Sequence, residues 1–171
     1  MYTIHVHFYS NIIKTNVFLN LRVKSLLLDM TSNIYNKSDS IASDPELIRL
    51  LSKKYTSAHQ SLNALTNYDK ITSVISQDPS IQNIHIYSLN PTITKTDYVT
   101  PINKEMKNTE WFQHFKQTST PFWSSHKKTD SFGNSSMELC FYEKIFLPSI
   151  KSYAILNTTV SNNHLKNRIA A

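Results

Sequence analysis

The chain has a single glycine, Gly133, among its 171 residues. The dinucleotide-binding fingerprint, the phosphate-binding Walker loop and the nucleophile elbow each use several glycines, because the backbone there turns tightly or approaches a ligand closely. The lone Cys140 forbids an intrachain disulfide and a zinc site built from several thiolates. The sequence therefore argues against the common nucleotide-cofactor folds, and we expect neither a cofactor nor a metal site.

Arginine and long apolar runs are scarce as well. The net charge is +6, but only Arg22, Arg49 and Arg168 can make bidentate phosphate contacts, and the lysines are scattered along the chain. This pattern predicts a solvated basic surface and no nucleic-acid partner. No stretch approaches the roughly 18 apolar residues of a membrane span. Helical patterns run into both ends without capping residues, which is typical of a domain excised from a larger protein.

What the chain does contain predicts one α+β domain. Its 40% hydrophobic and 18% charged residues are those of a folded protein, and its length suits a single domain. A first helix is predicted over 8–42, with Leu27, Ile34 and Ile41 seven residues apart, a spacing that suits pairing of two such helices. A short helix should follow over 45–54, and apolar residues spaced from Leu62 to Ile75 predict one further helix.

The second half of the chain changes to strand periodicity. Strands are predicted over 81–89, near Tyr98, and over 121–126, 137–147 and 151–160, the last two as a hairpin. A long loop should reach Lys107, and a short helix is predicted over 108–116, before a last helix begins at Ser161. The order predicts an antiparallel sheet of about five strands with the long helix packed on one face.

Five segments carry a resemblance to a known family. They are Ala42-Ser-Asp-Pro-Glu-Leu-Ile-Arg-Leu-Leu51, Ile84-His-Ile-Tyr87, Glu110-Trp-Phe112, Pro121-Phe-Trp-Ser124 and Tyr153-Ala-Ile-Leu-Asn-Thr-Thr-Val160. Over nearly the whole chain they resemble the extracellular sensor region of YesM-like bacterial two-component sensor histidine kinases, a PAS-like Cache fold. The resemblance implies a stalk helix over 1–42 continuing from a transmembrane helix, a single Cache module over 43–161, and over 162–171 the start of an exit helix toward a second transmembrane segment.

The same resemblance implies a function at the cell membrane, with this domain outside the cell. The domain would bind a small molecule, such as a sugar, an organic acid or a short peptide, and transmit a conformational signal to a cytoplasmic kinase. It would pair as a homodimer through the long helix and reach the membrane through flanking segments. Thr109 stands where amino-acid-sensing Cache domains carry an arginine for the ligand carboxylate, which argues against an α-amino acid in that pocket.

Candidate ligand-binding residues follow from their placement. Trp111 lies on the short helix that the family lays over its pocket, and Trp123, in the following strand, is expected near the same pocket. His85 and Tyr87 share one face of a strand, Tyr142 shares a face with Cys140, and His126 is expected at the pocket rim. Core packing is the alternative for the aromatic residues, and a solvated charged loop is the alternative for His126.

An enzyme and an interaction module are the alternatives to a sensor. No spacing singles out a nucleophile with its base, so we expect no catalysis from this chain, although the full-length parent would be a kinase. A ligandless interaction or dimerisation module of a surface receptor is the main alternative, and the sensor domain of a chemotaxis receptor is another. An interaction module should fill the space beneath both tryptophans with side chains, whereas a sensor should leave an aromatic-lined cavity.

Overall fold

A computed structural model describes residues 2–118, 120–129, 133 and 135–170, with side chains described from residue 20 onward. In chain order the helices are α1 (Tyr2–Ala42), α2 (Pro45–Ser52), α3 (Ala58–Thr66), α4 (Lys70–Gln77), α5 (Lys104–Lys107), α6 (Glu110–Gln117) and α7 (Asn162–Ala170). The strands are β1 (Ile81–Ser88), β2 (Val99–Pro101), β3 (Phe122–Thr129), β4 (Ser135–Leu147) and β5 (Ser152–Val160), and a 3-10 turn (Pro148–Ile150) joins the last two. The chain is thus α+β, as predicted.

The five strands form one mixed sheet in the order β2-β1-β5-β4-β3. The pairs β1–β5, β5–β4 and β4–β3 are antiparallel, but β2 runs parallel to β1, with Val99 opposite Ile86. The prediction of an antiparallel sheet is therefore wrong for this edge strand. The segment 89–98 doubles back beside β1 before β2 begins, so both strands run in the same direction.

α1 and α2 pack on one face of the sheet, which we call the helix face. Ile34 and Ile41 of α1 are fully buried in the main core, whereas Leu27 is 38% exposed. Two of the three residues with this seven-residue spacing thus pack α1 onto its own sheet, and they are not available to pair with a second copy of the helix. The hydroxyl groups of Ser38 and Thr158 lie 2.7 Å apart and join α1 to β5.

The single helix predicted between Leu62 and Ile75 is two helices, and this prediction is wrong. Asn67 caps the end of α3, and the backbone turns before α4 begins. Lys70, the first residue of α4, bonds the Asp44 carboxylate at 2.7 Å and so ties α4 to the start of α2. This tertiary contact sets the direction of α4, which a helical repeat in the sequence does not encode.

α5 contacts α6, and α6 lies against the other face of the sheet, which we call the aromatic face. Its buried residues form a second, smaller core around Phe112 and Phe115 of α6. No helix in the described ranges has an apolar segment long enough to cross a membrane. The structure describes the backbone of α1 from Tyr2 but side chains only from Asn20. The predicted apolar positions of the first helix before Asn20 therefore lie outside the described side chains.

Candidate functional site

The aromatic face brings together five of the six residues that the sequence singled out. The rings of His85 and Tyr87 are 4.9 Å apart, and Tyr87 lies 5.1 Å from Trp111. Trp111 stacks on Tyr142 at 5.7 Å with an interplanar angle of 17°. The Tyr142 hydroxyl is 2.7 Å from Nε2 of His126. These five side chains form one continuous row of contacts across β1, α6, β4 and β3.

Strand alternation and one short helix place this row. On β1 and β4 alternate residues point to the same face, which puts His85, Tyr87 and Tyr142 together. α6 is held by its buried residues Phe112 and Phe115, which are 5% and 2% exposed. Because those two side chains lie in the core, the neighbouring Trp111 is only half-buried, and its ring lies against the rings of Tyr87 and Tyr142.

Trp123 does not belong to this site. It packs on Phe141, with ring centroids 5.0 Å apart, and it contacts the main core on the helix face. Its neighbour Phe122 points to the aromatic face and stacks on Tyr142 at 5.3 Å. The expectation of two tryptophans at one pocket is therefore wrong, because consecutive strand residues point to opposite faces.

Asn157 of β5 is a site residue that the sequence analysis missed. It sits between His85 and Tyr142 in the strand register and is 9% exposed. Its side-chain oxygen is buried and makes no hydrogen bond to any residue that the structure describes. A buried amide oxygen without a partner is costly, and it is the group that a donor on a ligand would satisfy. In the sequence it is a polar residue within an apolar strand, and only the strand register shows that it lies beside His85 and Tyr142.

The groups around Asn157 are uncharged at neutral pH. Burial lowers the pKa of His85, and the nearby Lys95 lowers it further, against a backbone hydrogen bond at Asp97. Burial raises the pKa of both Tyr87 and Tyr142. This part of the face therefore offers neutral donors and acceptors beside flat rings.

The thiol of Cys140 lies on the same face but is not reactive. Cys140 is 1% exposed, and its sulfur is 3.6 Å from the Thr159 hydroxyl. Burial raises the pKa of the thiol, so it stays protonated at neutral pH and is a poor nucleophile. Cys140 is therefore a small buried residue of β4.

A cation stands at the other end of the aromatic face. Lys144 Nζ lies 5.2 Å from the ring of Phe115 and 5.3 Å from that of Tyr153, and it donates to the Thr118 carbonyl at 2.7 Å. Both rings and the carbonyl stabilise the ammonium where it is. Lys144 therefore holds the loop after α6 against β4. The cation nearest to the groups around Asn157 is the exposed Lys95, which acts on His85.

The rings of the aromatic face are packed against one another. Among the described residues, the cavities lie away from these rings. One lies between α1 and α7, and another lies on the exposed side of α1. The Asn157 oxygen is buried, so a ligand that reaches it must displace a neighbouring side chain. No cluster of three or more histidine, cysteine, aspartate or glutamate side chains suited to a metal occurs among the described residues. Comparison of the chain with protein-family models, curated proteins and solved structures gives no match.

Proposed function

We propose that this chain is the extracellular ligand-sensing domain, of PAS-like Cache type, of a membrane-bound two-component sensor histidine kinase. In this proposal a small molecule binds at the aromatic face, and the change is passed to α1 and α7, which lead toward the membrane and the kinase. The chain itself carries out no reaction.

The observation that carries the proposal is the position of two consecutive residues of the central strand. Asn157 presents its unpartnered oxygen to the aromatic face, and Thr158 bonds Ser38 of α1 on the helix face. β5 then leads into α7 through Ser161. A ligand that forms a hydrogen bond with Asn157 would therefore act on the end of β5. This end of the strand is bonded to α1 through Thr158 and leads into α7.

The site chemistry favours a neutral ligand with hydrogen-bond donors and a flat or apolar side. The Asn157 oxygen would accept from the ligand, and the Trp111 ring would cover it. A sugar meets both requirements within the row of rings, whereas an organic acid would also need the exposed Lys95 beside His85. A ligand that binds one arrangement of α1 and α7 about 100-fold more tightly than the other changes the free-energy difference between the two arrangements by about 2.7 kcal/mol.

A thermal-shift screen of the purified domain against sugars, organic acids and short peptides tests this proposal. A hit should disappear in Trp111→Ala and in Asn157→Leu. It should persist in Trp123→Ala, which removes a ring of the same kind on the opposite face. A screen without hits, or a hit that survives Trp111→Ala and Asn157→Leu, contradicts binding at the aromatic face.

A ligandless dimerisation module is the second candidate, and two observations favour it. The spaces beneath Trp111 and Trp123 are filled by Tyr142 and Phe141. In addition, α1 exposes an apolar stripe with seven-residue spacing, made of Leu21 (61% exposed), Leu28 (56%) and Tyr35 (46%).

Sedimentation equilibrium distinguishes the two candidates. The dimerisation module should associate through the stripe, and Leu28→Glu should return it to a monomer. Leu62→Glu is the matched control, because Leu62 is 41% exposed on α3, away from the stripe. A wild-type protein that stays monomeric at high concentration contradicts this second candidate.

A further inference from the structure

A cavity of about 290 Å³ lies in the groove between α1 and α7. Leu26 and Met30 of α1 form one apolar wall, and Leu165 and Ile169 of α7 form the other. The segment 78–80, just before β1, closes the base. The volume is close to the lower end of known ligand pockets, about 300 Å³, so the groove suits a small ligand.

Charges of opposite sign line the two sides of this groove. Asp29 of α1 and Asp78 at the base supply carboxylates, and Arg168 of α7 supplies a guanidinium. Arg168 makes no ion pair within 4.0 Å with the part of the chain that the structure describes. The cavity therefore combines two carboxylates, a guanidinium without an ion-pair partner, the imidazole of His164 and an apolar lining, with Asp29 and Arg168 at its exposed rim.

We infer that this groove binds an apolar α-amino acid as its zwitterion. The ligand ammonium would face Asp29 and Asp78, the ligand carboxylate would pair with Arg168 in bidentate fashion, and the ligand side chain would pack between Met30 and Leu165. A purely anionic ligand would meet two carboxylates, and a purely cationic one would leave Arg168 unpaired. A ligand carrying both charges can pair with both sides of the groove.

This site is separate from the aromatic face and goes beyond the proposed function. The groove lies between two helices, whereas Trp111 and Asn157 lie on the sheet face that α6 covers. A zwitterion held by Asp29 and Arg168 bridges α1 and α7 directly. Its binding therefore favours the arrangement in which the two helices are spaced as they are here.

Thermal shifts with three related probes test the inference. L-phenylalanine carries both charges, phenethylamine has only the ammonium, and 3-phenylpropionate has only the carboxylate. At about 10 mM, L-phenylalanine should raise the melting temperature by about 3 °C. Each single-charge probe should bind about tenfold more weakly in titration calorimetry, because it loses one charge-assisted interaction. No shift with L-phenylalanine, or equal affinity for all three probes, overturns the inference.

Variants identify the groups that hold the ligand. Arg168→Gln and Asp29→Asn should each lower the affinity for L-phenylalanine about tenfold. Lys166→Gln is the matched control, because it removes one positive charge from α7 outside the groove lining, and its affinity should equal that of the wild type. Asp78 is kept unchanged, since it also anchors Asn33 and Ser80. Full affinity in Arg168→Gln overturns the inference.

The two proposals fail in different ways. A response to L-phenylalanine that is lost in Trp111→Ala and kept in Arg168→Gln places the ligand on the aromatic face; it overturns the groove site and leaves the proposed function intact. A response lost in Arg168→Gln and kept in Trp111→Ala supports the groove site, whatever the screen at the aromatic face gives.

Discussion

The side-chain amide of Asn33 donates a hydrogen bond of 2.5 Å to the carboxylate of Asp78. The same carboxylate accepts from the backbone and the hydroxyl of Ser80, at 2.9 and 2.6 Å. The Ser80 carbonyl in turn accepts from the backbone nitrogen of Ser161, at 2.8 Å, where α7 begins. Four residues thus connect the later part of α1 to the start of α7.

Replacing Asp78 should weaken this connection. Burial raises the pKa of Asp78, but hydrogen bonds from Ser80 and Asn33 and the charge of Lys37 outweigh it, so the pKa is lowered overall. A lowered pKa adds stability above the ordinary aspartate value, and this stability is lost as the pH falls through the folded pKa. Asp78→Asn should therefore cost about 1–3 kcal/mol at pH 7 in urea denaturation and lose less stability than the wild type below about pH 4.

Asp97→Asn is the control for Asp78, because Asp97 is exposed and should change the free energy of unfolding by less than about 0.5 kcal/mol. An acid-induced loss of stability that is the same in Asp78→Asn as in the wild type would contradict the role given to this carboxylate.

Glu143 should make the domain less stable as the pH rises toward neutrality. It is 7% exposed, and one of its oxygens has no hydrogen-bond partner among the described residues. Burial, with the charge of Asp39 on α1, raises its pKa from 4.5 to about 7. Between these two values the unfolded chain ionises first, so the free energy of unfolding should fall with rising pH. Glu143→Gln should flatten this slope and stabilise the protein at pH 8 by about 2 kcal/mol.

Glu105→Gln serves as the control for Glu143, since Glu105 is exposed and should leave the pH profile unchanged. A steep loss of stability between pH 4.5 and 7 that remains in Glu143→Gln would assign the slope to another group.

The Ser38–Thr158 pair should show energetic coupling. Both residues are fully buried, and their hydroxyl oxygens lie 2.7 Å apart. Ser38→Ala and Thr158→Val each leave one hydroxyl without its partner, which costs about 1–3 kcal/mol. The double variant should cost about 1 kcal/mol less than the sum of the two, as measured by chemical denaturation. Ser38→Ala combined with Thr31→Ala should be additive, and additivity of Ser38 with Thr158 would contradict the bond.

Lys151 should tolerate glycine better than alanine. Its φ of 48° and ψ of 45° lie in the left-handed region, where a side chain costs energy and glycine does not. Lys151→Gly should therefore raise the free energy of unfolding by about 0.5–1 kcal/mol, whereas Lys151→Ala keeps the strained Cβ and gives no gain. Equal stabilities of the two variants, measured by urea denaturation, would argue that the turn relaxes.

Period-based reasoning located most elements of the sheet, because alternation and turn residues are local signals. β1 and β5 lie where the pattern predicted them, and α6 does as well. The parallel pairing of β2 could not be predicted from such signals, since it depends on how residues 89–98 fold back beside β1. The break between α3 and α4 falls at residues 67–69, and the spacing of apolar residues continues across it, so the spacing does not reveal it.

The site was predicted in part for the same reason. Residues two apart on one strand, such as His85 and Tyr87, were correctly placed on a common face. Phe122 and Trp123 are consecutive, so one of them had to point to each face, and the sequence does not say which. Asn157 was missed because a polar residue inside an apolar strand is recognised as a site only when its neighbours across the sheet are known.

The position of β5 in the sheet has a mechanical consequence. β5 is paired on both sides, with β1 and with β4, and it continues into α7. Tension along β5 would load two sets of interstrand hydrogen bonds in shear, because those bonds run across the strand direction. α1 is held to the sheet by side-chain packing and by the Ser38–Thr158 bond. Under a force that pulls the two ends apart, we therefore expect α1 to separate from the sheet before β5 is drawn out.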